Sequence, residues 1–279
     1  MGVEVINGVG QTALWTAASR ARESARPDRL FEDPYAGLLA GPDGARLLRH
    51  FHPSRASDEG NPFLPIRTRW FDDVVAEALR SGIRQVVGLG AGLDTRAYRL
   101  DWPDGTVVYE VDQPTVISYK KQVLDHVAKA PRCTLRQVLA DLGTAWDDGL
   151  VEQGFDRSAP TLWFTEGVLF YLPEDLAADV IRRAAALSAP GSRMAADLIG
   201  TGIFRFPYMR TFLARLEESG SPWQFGTDDP AGFFAANGWQ ADVVTEPGRP
   251  GADYSRWSSA ANPPGVAILP RSYLVLGHS

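Results

Sequence analysis

Cysteine is nearly missing from this 279-residue chain, with Cys133 the single example. A disulfide within the chain is therefore excluded, one thiol cannot build a cysteine-based zinc site, and the composition fits a reducing compartment. Cys133 opens an expected strand with no histidine near it in sequence, so it reads as a small buried residue and not as a nucleophile. Positive charge is not in excess either. Lys and Arg number 28 against 34 Asp and Glu, a formal net charge of −6, which argues against a nucleic acid or an anionic membrane as partner. The densest cationic stretch, Arg20, Arg22, Arg26 and Arg29, is interleaved with Glu23 and Asp28 and reads as a solvated helix face. No apolar run approaches the roughly twenty residues a membrane helix needs. The first residues lack the basic-then-apolar order of a secretory signal. A cytoplasmic monomer or homodimer is expected. Histidine is scarce, with four residues, and no acidic or histidine cluster has metal-ligand spacing, so no metal is expected.

What the chain does have is a change of rhythm near residue 83. Residues 1–82 read as a helical N-terminal lid segment. It holds a helix over Ala13–Arg26, a Asp33-Pro34 helix start leading into Tyr35–Leu39, a turn at Gly41–Gly44, a polar loop over His50–Asn61, and a helix over Arg67–Arg80 closed by Gly82. From Gln85 short β-branched runs alternate with helices: Gln85–Leu89, Thr106–Val111, Thr134–Leu139, Thr161–Thr165, Met194–Ile199, Trp239–Val244 and Ser272–Leu276 are the expected strands. Pro173–Leu187 and Asp228–Asn237 are the clearest helices among them. Such alternation predicts an α/β domain over 83–279, with a doubly wound, mostly parallel sheet. Residues 201–226 interrupt it with Phe204, Phe206, Tyr208, Phe212, Trp223 and Phe225, a helical cap insertion above the carboxyl edge of the sheet. Pro247–Gly265 reads as a surface connection.

The turn after the first strand, Gly88-Leu-Gly-Ala-Gly-Leu-Asp-Thr95, lets a ligand approach the backbone closely beside a helix N-terminus. A nucleotide-type cofactor is expected there. The dinucleotide fingerprint would need a third glycine where Leu93 stands. Acidic residues follow successive strands: Asp112 after the second, about twenty residues beyond the turn and suited to ribose hydroxyls, Asp141 after the third, and Glu166 after the fourth. Glu110 lies two residues before Asp112, and only one of the two is expected to serve the crevice. Acids converging on one crevice call for a cationic, hydrogen-donating ligand. S-adenosylmethionine, with its sulfonium, ammonium, ribose and adenine amino group, has that chemistry.

The segments Arg67-Thr-Arg, Val87-Gly-Leu-Gly-Ala-Gly-Leu-Asp-Thr-Arg, Tyr109-Glu-Val-Asp-Gln-Pro, Ala140-Asp-Leu and Glu166-Gly-Val-Leu-Phe-Tyr-Leu, in this order, resemble the leucine carboxyl methyltransferase family, and especially its bacterial branch of polyketide-type O-methyltransferases. The resemblance runs from about Thr12 to Ile199. It implies the class I S-adenosylmethionine-dependent methyltransferase fold, with S-adenosyl-L-methionine as cofactor and S-adenosyl-L-homocysteine as product. It also implies roles. Arg67, with Arg69 in reserve, would meet the methionine carboxylate, and Gly90, Ala91 and Gly92 would pass under the methionine part. Asp112 and Gln113 would hold the ribose, Asp141 and Leu142 would flank the adenine, and Glu166 would sit near the amino group and the transfer site. Asp94 and Thr95 would cap the following helix.

The implied reaction is transfer of a methyl group to an oxygen of a small molecule, expected to be a carboxylate of a natural-product or polyketide intermediate. A carboxylate is ionised at neutral pH and needs no base, whereas a phenol, with pKa near 10, would profit from one. None of His50, His52, His126 and His278 falls at an expected strand end, and each is expected to be solvent-exposed. That favours the carboxylate. Arg205 or Arg210 would supply its counter-charge, and Tyr171 or Tyr208 a pocket donor. Three other readings stay open: a protein C-terminal carboxyl methyltransferase, which needs a shallow pocket; a NAD(P)-dependent reductase, which the missing glycine at Leu93 opposes; and a non-catalytic S-adenosylmethionine-binding module, in which the acids Asp112, Asp141 and Glu166 would hold the cofactor without turnover.

Overall fold

The computed structural model describes residues 10–52, 62–127, 130–257 and 270–279. Three helices come first: α1 (Gly10–Ser24), α2 (Ala36–Phe51) and α3 (Phe63–Arg80). The α/β part follows as β1 (Gln85–Leu89), α4 (Arg96–Arg99), β2 (Val107–Asp112), α5 (Pro114–Leu124), β3 (Thr134–Leu139), α6 (Trp146–Glu152), β4 (Thr161–Thr165), α7 (Glu174–Ala186), β5 (Arg193–Ile199), α8 (Arg210–Glu218), α9 (Pro230–Ala236), β6 (Gln240–Thr245) and β7 (Ser272–His278). Short 3₁₀ turns at Leu169–Tyr171, Thr201–Phe204 and Pro207–Met209 precede α7 and α8. No helix of the described residues is long and apolar enough to cross a membrane.

All seven strands form one sheet in the order β3-β2-β1-β4-β5-β7-β6. The first five run parallel, and β7 inserts antiparallel between β5 and β6. Strand residues alternate between two faces, as the period of two demands. Val87, Tyr109, Trp163, Met194 and Val275 pack with α6, α7 and α9 in one core. Val86, Val108, Leu162, Ala195 and Leu274 pack under α3 in the other. The lid helices α1 and α2 make a third cluster with Val116 and Leu124 of α5 and with Phe212 and Leu216 of α8. Because the strand order reverses at β1, the crossovers on either side of it leave in opposite directions, and a crevice opens beyond the carboxyl ends of β1 and β4.

Several local expectations change. The turn at Gly41–Gly44 is a kink within α2: Gly41 takes φ 56°, and Pro42 restarts the helix. Asp33 does start that helix, since its carboxylate accepts the N–H groups of Tyr35 and Ala36 at 3.1 and 3.0 Å. The polar loop expected from His50 begins later, because α2 continues to Phe51; the rest of that loop, and the second half of the Pro247–Gly265 connection, lie outside the described residues. The cationic stretch of α1 is not one solvated face. Arg20 turns inward, donating to Asp33 at 2.9 Å and to the Leu93 carbonyl at 2.6 Å. Glu23 is buried and accepts from Arg256 at 3.0 and 3.1 Å.

Candidate active site

A cavity of about 1360 Å³ occupies the crevice. One end is the turn after β1. Gly90 and Gly92 adopt φ 67° and 53°, a region open to glycine and strained for other residues. The backbone can therefore double back so that Gly90 and Ala91 both donate to the Val111 carbonyl, at 2.8 and 3.1 Å. Asp112 ends β2 facing this turn, and its carboxylate accepts the Gly92 N–H at 2.5 Å and the Gln113 N–H at 2.7 Å. Burial pushes its carboxyl up to about 6, against the pull of those two donors. Gln113 in turn donates to Asp141 at 2.8 Å, and Asp141 also accepts the Gly143 N–H at 2.8 Å. Leu142 is buried beside it and lines the cavity.

At the middle of the cavity the lid meets the sheet through buried charge. Arg67 of α3 donates from Nε to Glu166 at 3.3 Å and from Nη1 to Asp197 of β5 at 2.9 Å. Glu166 also accepts from Thr68 at 3.2 Å and pairs with Arg96 at 2.8 Å. Burial raises the Glu166 carboxyl, but Arg96 and Arg67 outweigh it and hold the group below the usual carboxylate range. Arg96 gathers three acids, Asp72 at 2.7 Å, Asp94 and Glu166, and lies between the rings of Phe71 and Phe164. Asp94 falls to about 2, since Arg96 more than offsets its burial. Asp94 also accepts the Arg96 N–H at 2.6 Å, so it does cap α4; Thr95 instead donates to Asp33 at 2.7 Å.

The far end is aromatic. Trp223 packs against Phe170 at 4.7 Å, Phe212 at 5.0 Å and Tyr171 at 6.2 Å between ring centres. Tyr171 is buried, and its hydroxyl neighbours Trp223, Thr12 and Arg67; burial raises its pKa despite them. His52, expected in an exposed loop, is buried and lines the cavity between Trp15 and Phe212, at 4.7 and 4.3 Å between ring centres. The shift follows from the longer α2, which carries the chain inward. His50, His126 and His278 are exposed.

Of the residues singled out in the sequence, Arg67, Gly90, Ala91, Gly92, Asp112, Gln113, Asp141, Leu142, Glu166 and Tyr171 all line this one cavity. Arg205 and Arg210 do not. Both are exposed, and Arg205 donates to Thr201 at 3.1 Å one turn away. Arg69 points off to Asp73, the Leu30 carbonyl and the Tyr254 ring. Sequence reasoning passed over Arg96, Thr68, Asp197 and Trp15. Arg96 had a signal, since it ends the motif that begins at Val87.

The model of the leucine carboxyl methyltransferase family matches residues 13–185. A candidate S-adenosyl-L-methionine-dependent methyltransferase of Mycobacterium avium is 46% identical over 203 residues, covering 69% of this chain and 65% of that one. The chain thus spans just under two thirds of that relative. Another candidate of the same description, from Mycolicibacterium gilvum, is 39% identical over 263 residues, 87% and 86% of the two chains. Among solved structures, a DUF574 family protein from Streptomyces avermitilis superposes with a TM-score of 0.62 over 96% of this chain and 97% of that one, at 18% identity. A candidate methyltransferase from Thermobifida fusca does so at 0.56 over 94% of each, at 17% identity. The fold is that of the class I S-adenosylmethionine-dependent methyltransferases, and the chain belongs to the leucine carboxyl methyltransferase family.

Proposed function

We propose that this protein transfers a methyl group to an oxygen of a small molecule, a carboxylate. The cofactor is S-adenosyl-L-methionine. The observation that carries this reading is the continuity of one cavity, from the glycine turn and Asp112, past the Arg67–Glu166 pair, to the rings around Trp223. Its volume of about 1360 Å³ exceeds the 300–1,000 Å³ typical of a site for one drug-sized ligand, so it can hold a cofactor together with an acceptor.

The residues fit the cofactor. Asp112, half-buried and pushed up toward neutrality, gains from further donors, and a ribose diol supplies two. Gln113 extends that donor set, and Asp141 with Leu142 offers an acceptor beside an apolar wall for an adenine. Glu166 carries charge suited to an ammonium group, and Arg67 to the neighbouring carboxylate. The bound cofactor supplies a methyl group already made electrophilic by a sulfonium. What remains for the chain is to align the acceptor oxygen and exclude water. The rings of Phe170, Phe212 and Trp223 do the second. Tyr171 and Thr12, which line the cavity together, would offer two hydroxyl donors to an anionic acceptor oxygen. An enclosed aromatic end suits a small molecule better than a protein C-terminus.

His52 favours one further reading, a hydroxyl acceptor whose proton it takes. Supplying benzoate and 4-nitrophenol in parallel with the cofactor separates the two, since methyl benzoate forms under the first reading and 4-nitroanisole under the second. The cofactor site is tested by calorimetric titration with S-adenosylhomocysteine. Asp112→Ala weakens binding by roughly 1–3 kcal/mol, the cost of a lost charged hydrogen-bond partner, while Arg80→Ala, whose side chain is 72% exposed, leaves it unchanged. Equal affinity in wild type and Asp112→Ala would discard this site map.

A further inference from the structure

Phe212 and Arg215 both line the cavity from α8, and residues three apart share a helix face. Phe212 packs against Trp223 and His52, at 5.0 and 4.3 Å between ring centres, so this face of α8 is turned to the aromatic end. Arg215, one turn further along, is half-buried and donates from Nη1 to the His50 carbonyl. The next two residues of that segment, Phe51 and His52, line the cavity as well. The guanidinium is thus held at the cavity wall from both sides, by α8 at its root and by the end of α2 at its tip. Charge separates Arg215 from the other arginines of this wall. Arg20, Arg67, Arg96 and Arg99 line the cavity without being exposed, and each has a carboxylate at 2.7–2.9 Å. Arg249 and Arg271 line it too but are exposed. Among the described residues no carboxylate pairs with Arg215. A carbonyl accepts one N–H of a guanidinium and leaves its charge and its other donors for a ligand.

We infer that the acceptor is a dianion with an apolar body. One carboxylate receives the methyl group beside Tyr171 and Thr12, and a second anionic group pairs with Arg215. This rests on the carboxylate reading proposed above and names the acceptor's class. The spacing follows from the wall. From Tyr171 the ring contacts step to Trp223 at 6.2 Å and on to Phe212 at 5.0 Å, and Arg215 stands one helical turn beyond. Two rings therefore separate Arg215 from the Tyr171 hydroxyl, and a body of about that length suits the apolar stretch between. A guanidinium presents paired N–H groups that match a carboxylate. Methyl transfer turns the near carboxylate into an ester and leaves the far anion untouched. The Arg215 contact is then equal before and after the reaction, so it selects and orients the acceptor without speeding the bond change.

The test titrates the full chain, saturated with S-adenosylhomocysteine, with biphenyl-4,4′-dicarboxylate and with biphenyl-4-carboxylate. The dicarboxylate binds roughly tenfold tighter, of which its two equivalent ends account for a factor of about two. Arg215→Gln keeps a donor for the His50 carbonyl and removes the charge. It lowers the ratio to about two, while the affinities for the monocarboxylate and for S-adenosylhomocysteine stay as they were. Arg215→Lys, a point charge without the paired donors, gives a ratio in between. A wild-type ratio of about two or less overturns the assignment, and so does an Arg215→Gln ratio equal to that of wild type. Equal weakening of both acids in Arg215→Gln overturns it as well, because Arg215 would then only brace α8 against α2. If Arg215→Gln does not fold, Arg215→Lys decides, and a ratio as in wild type counts against the pairing. Failure of both acids to bind the complex fells the inference together with the carboxylate acceptor. Failure of S-adenosylhomocysteine to bind the wild type fells the cofactor reading itself.

Discussion

Arg67 and Asp197 meet at 2.9 Å although 130 residues separate them in sequence. Their side chains are only 7% and 2% exposed. The other oxygen of Asp197 accepts the Gly167 N–H at 2.6 Å, so one carboxylate joins the lid helix α3, the strand β5 and the loop after β4. Burial raises the Asp197 carboxyl and Arg67 opposes it, while Asp197 and Glu166 keep the arginine charged against its own burial. The contact couples lid and sheet at the point where the cavity passes between them.

Breaking that contact from one side leaves charge behind. Arg67→Met strands Asp197 and weakens the support of Glu166, and the expected loss is roughly 3–5 kcal/mol, as for other buried pairs deprived of one partner. Adding Asp197→Asn removes the stranded charge and keeps an acceptor for Gly167, so the double variant recovers a substantial part. Urea unfolding followed by tryptophan fluorescence measures both. A single variant within 1 kcal/mol of wild type would mean that water already solvates the pair.

Asp112 predicts opposite pH trends for stability and for binding. Its carboxyl is raised from 3.8 to about 6, so between those values the folded protein holds a proton that the unfolded chain has released. Its contribution to stability is present below the unfolded value and is lost as pH rises through about 6. Ribose hydroxyls, in contrast, need the carboxylate as acceptor. Affinity for S-adenosylhomocysteine therefore falls about tenfold between pH 7 and pH 5, following the ionised fraction of a group that titrates near 6. Calorimetry across that range checks it, and Asp112→Asn should flatten the trend. A wild-type profile that is already flat would remove Asp112 from the binding interface.

Gly90 is restricted twice over. Its φ of 67° is costly for any side chain, by roughly 1–2 kcal/mol, and a Cβ there would lie 2.7 Å from Cγ2 of Val168. Gly90→Ala is expected to lose most of its affinity for S-adenosylhomocysteine. Val168→Ala clears the space but leaves the backbone penalty, so the pair recovers only in part. Full recovery would show that the torsion carries no cost.

Much of this site could be read in the sequence because strand ends are punctuated. Gly88–Thr95, Asp112, Asp141 and Glu166 each follow a short apolar run, and parallel strands bring such positions to one edge. Arg67 was readable only through the family resemblance, since a lone helical arginine carries no mark of burial. Asp197 pairs with Arg67 far away in sequence, and Arg96 reaches Asp72 and Glu166 besides its neighbour Asp94; no local spacing announces such distant pairs. Arg205 and Arg210 were drawn in by composition. The insert does reach the cavity, with Phe212, Arg215 and Trp223 among its lining, while Arg205 and Arg210 stay on the outer surface. His52 was misplaced for a simpler reason. Pro42 and Gly41 look like the end of a helix, and α2 continues through them as a kink, delivering His52 to the interior.

Lys120 and Glu110 form a second buried pair beneath the site, at 2.7 Å with 1% and 5% of their side chains exposed. Glu110 shares a face of β2 with Asp112, two residues on, yet it turns to α5 and leaves the crevice to Asp112. Burial raises its carboxyl, and Lys120 pulls the other way. Lys120→Met leaves a buried carboxylate without its cation, and at pH 8 the expected loss is roughly 3–5 kcal/mol. Without the lysine, the Glu110 carboxyl rises further. As pH falls it takes up a proton and the buried charge disappears, so the loss shrinks toward pH 5.5. Glu110→Gln in the same chain removes the charge at every pH and should restore most of the stability at pH 8. Unfolding midpoints in urea at the two pH values decide the matter. A penalty that grows on acidification, or a double variant no better than Lys120→Met alone, would mean that Lys120 acts through the packing of its methylene chain and not through its charge.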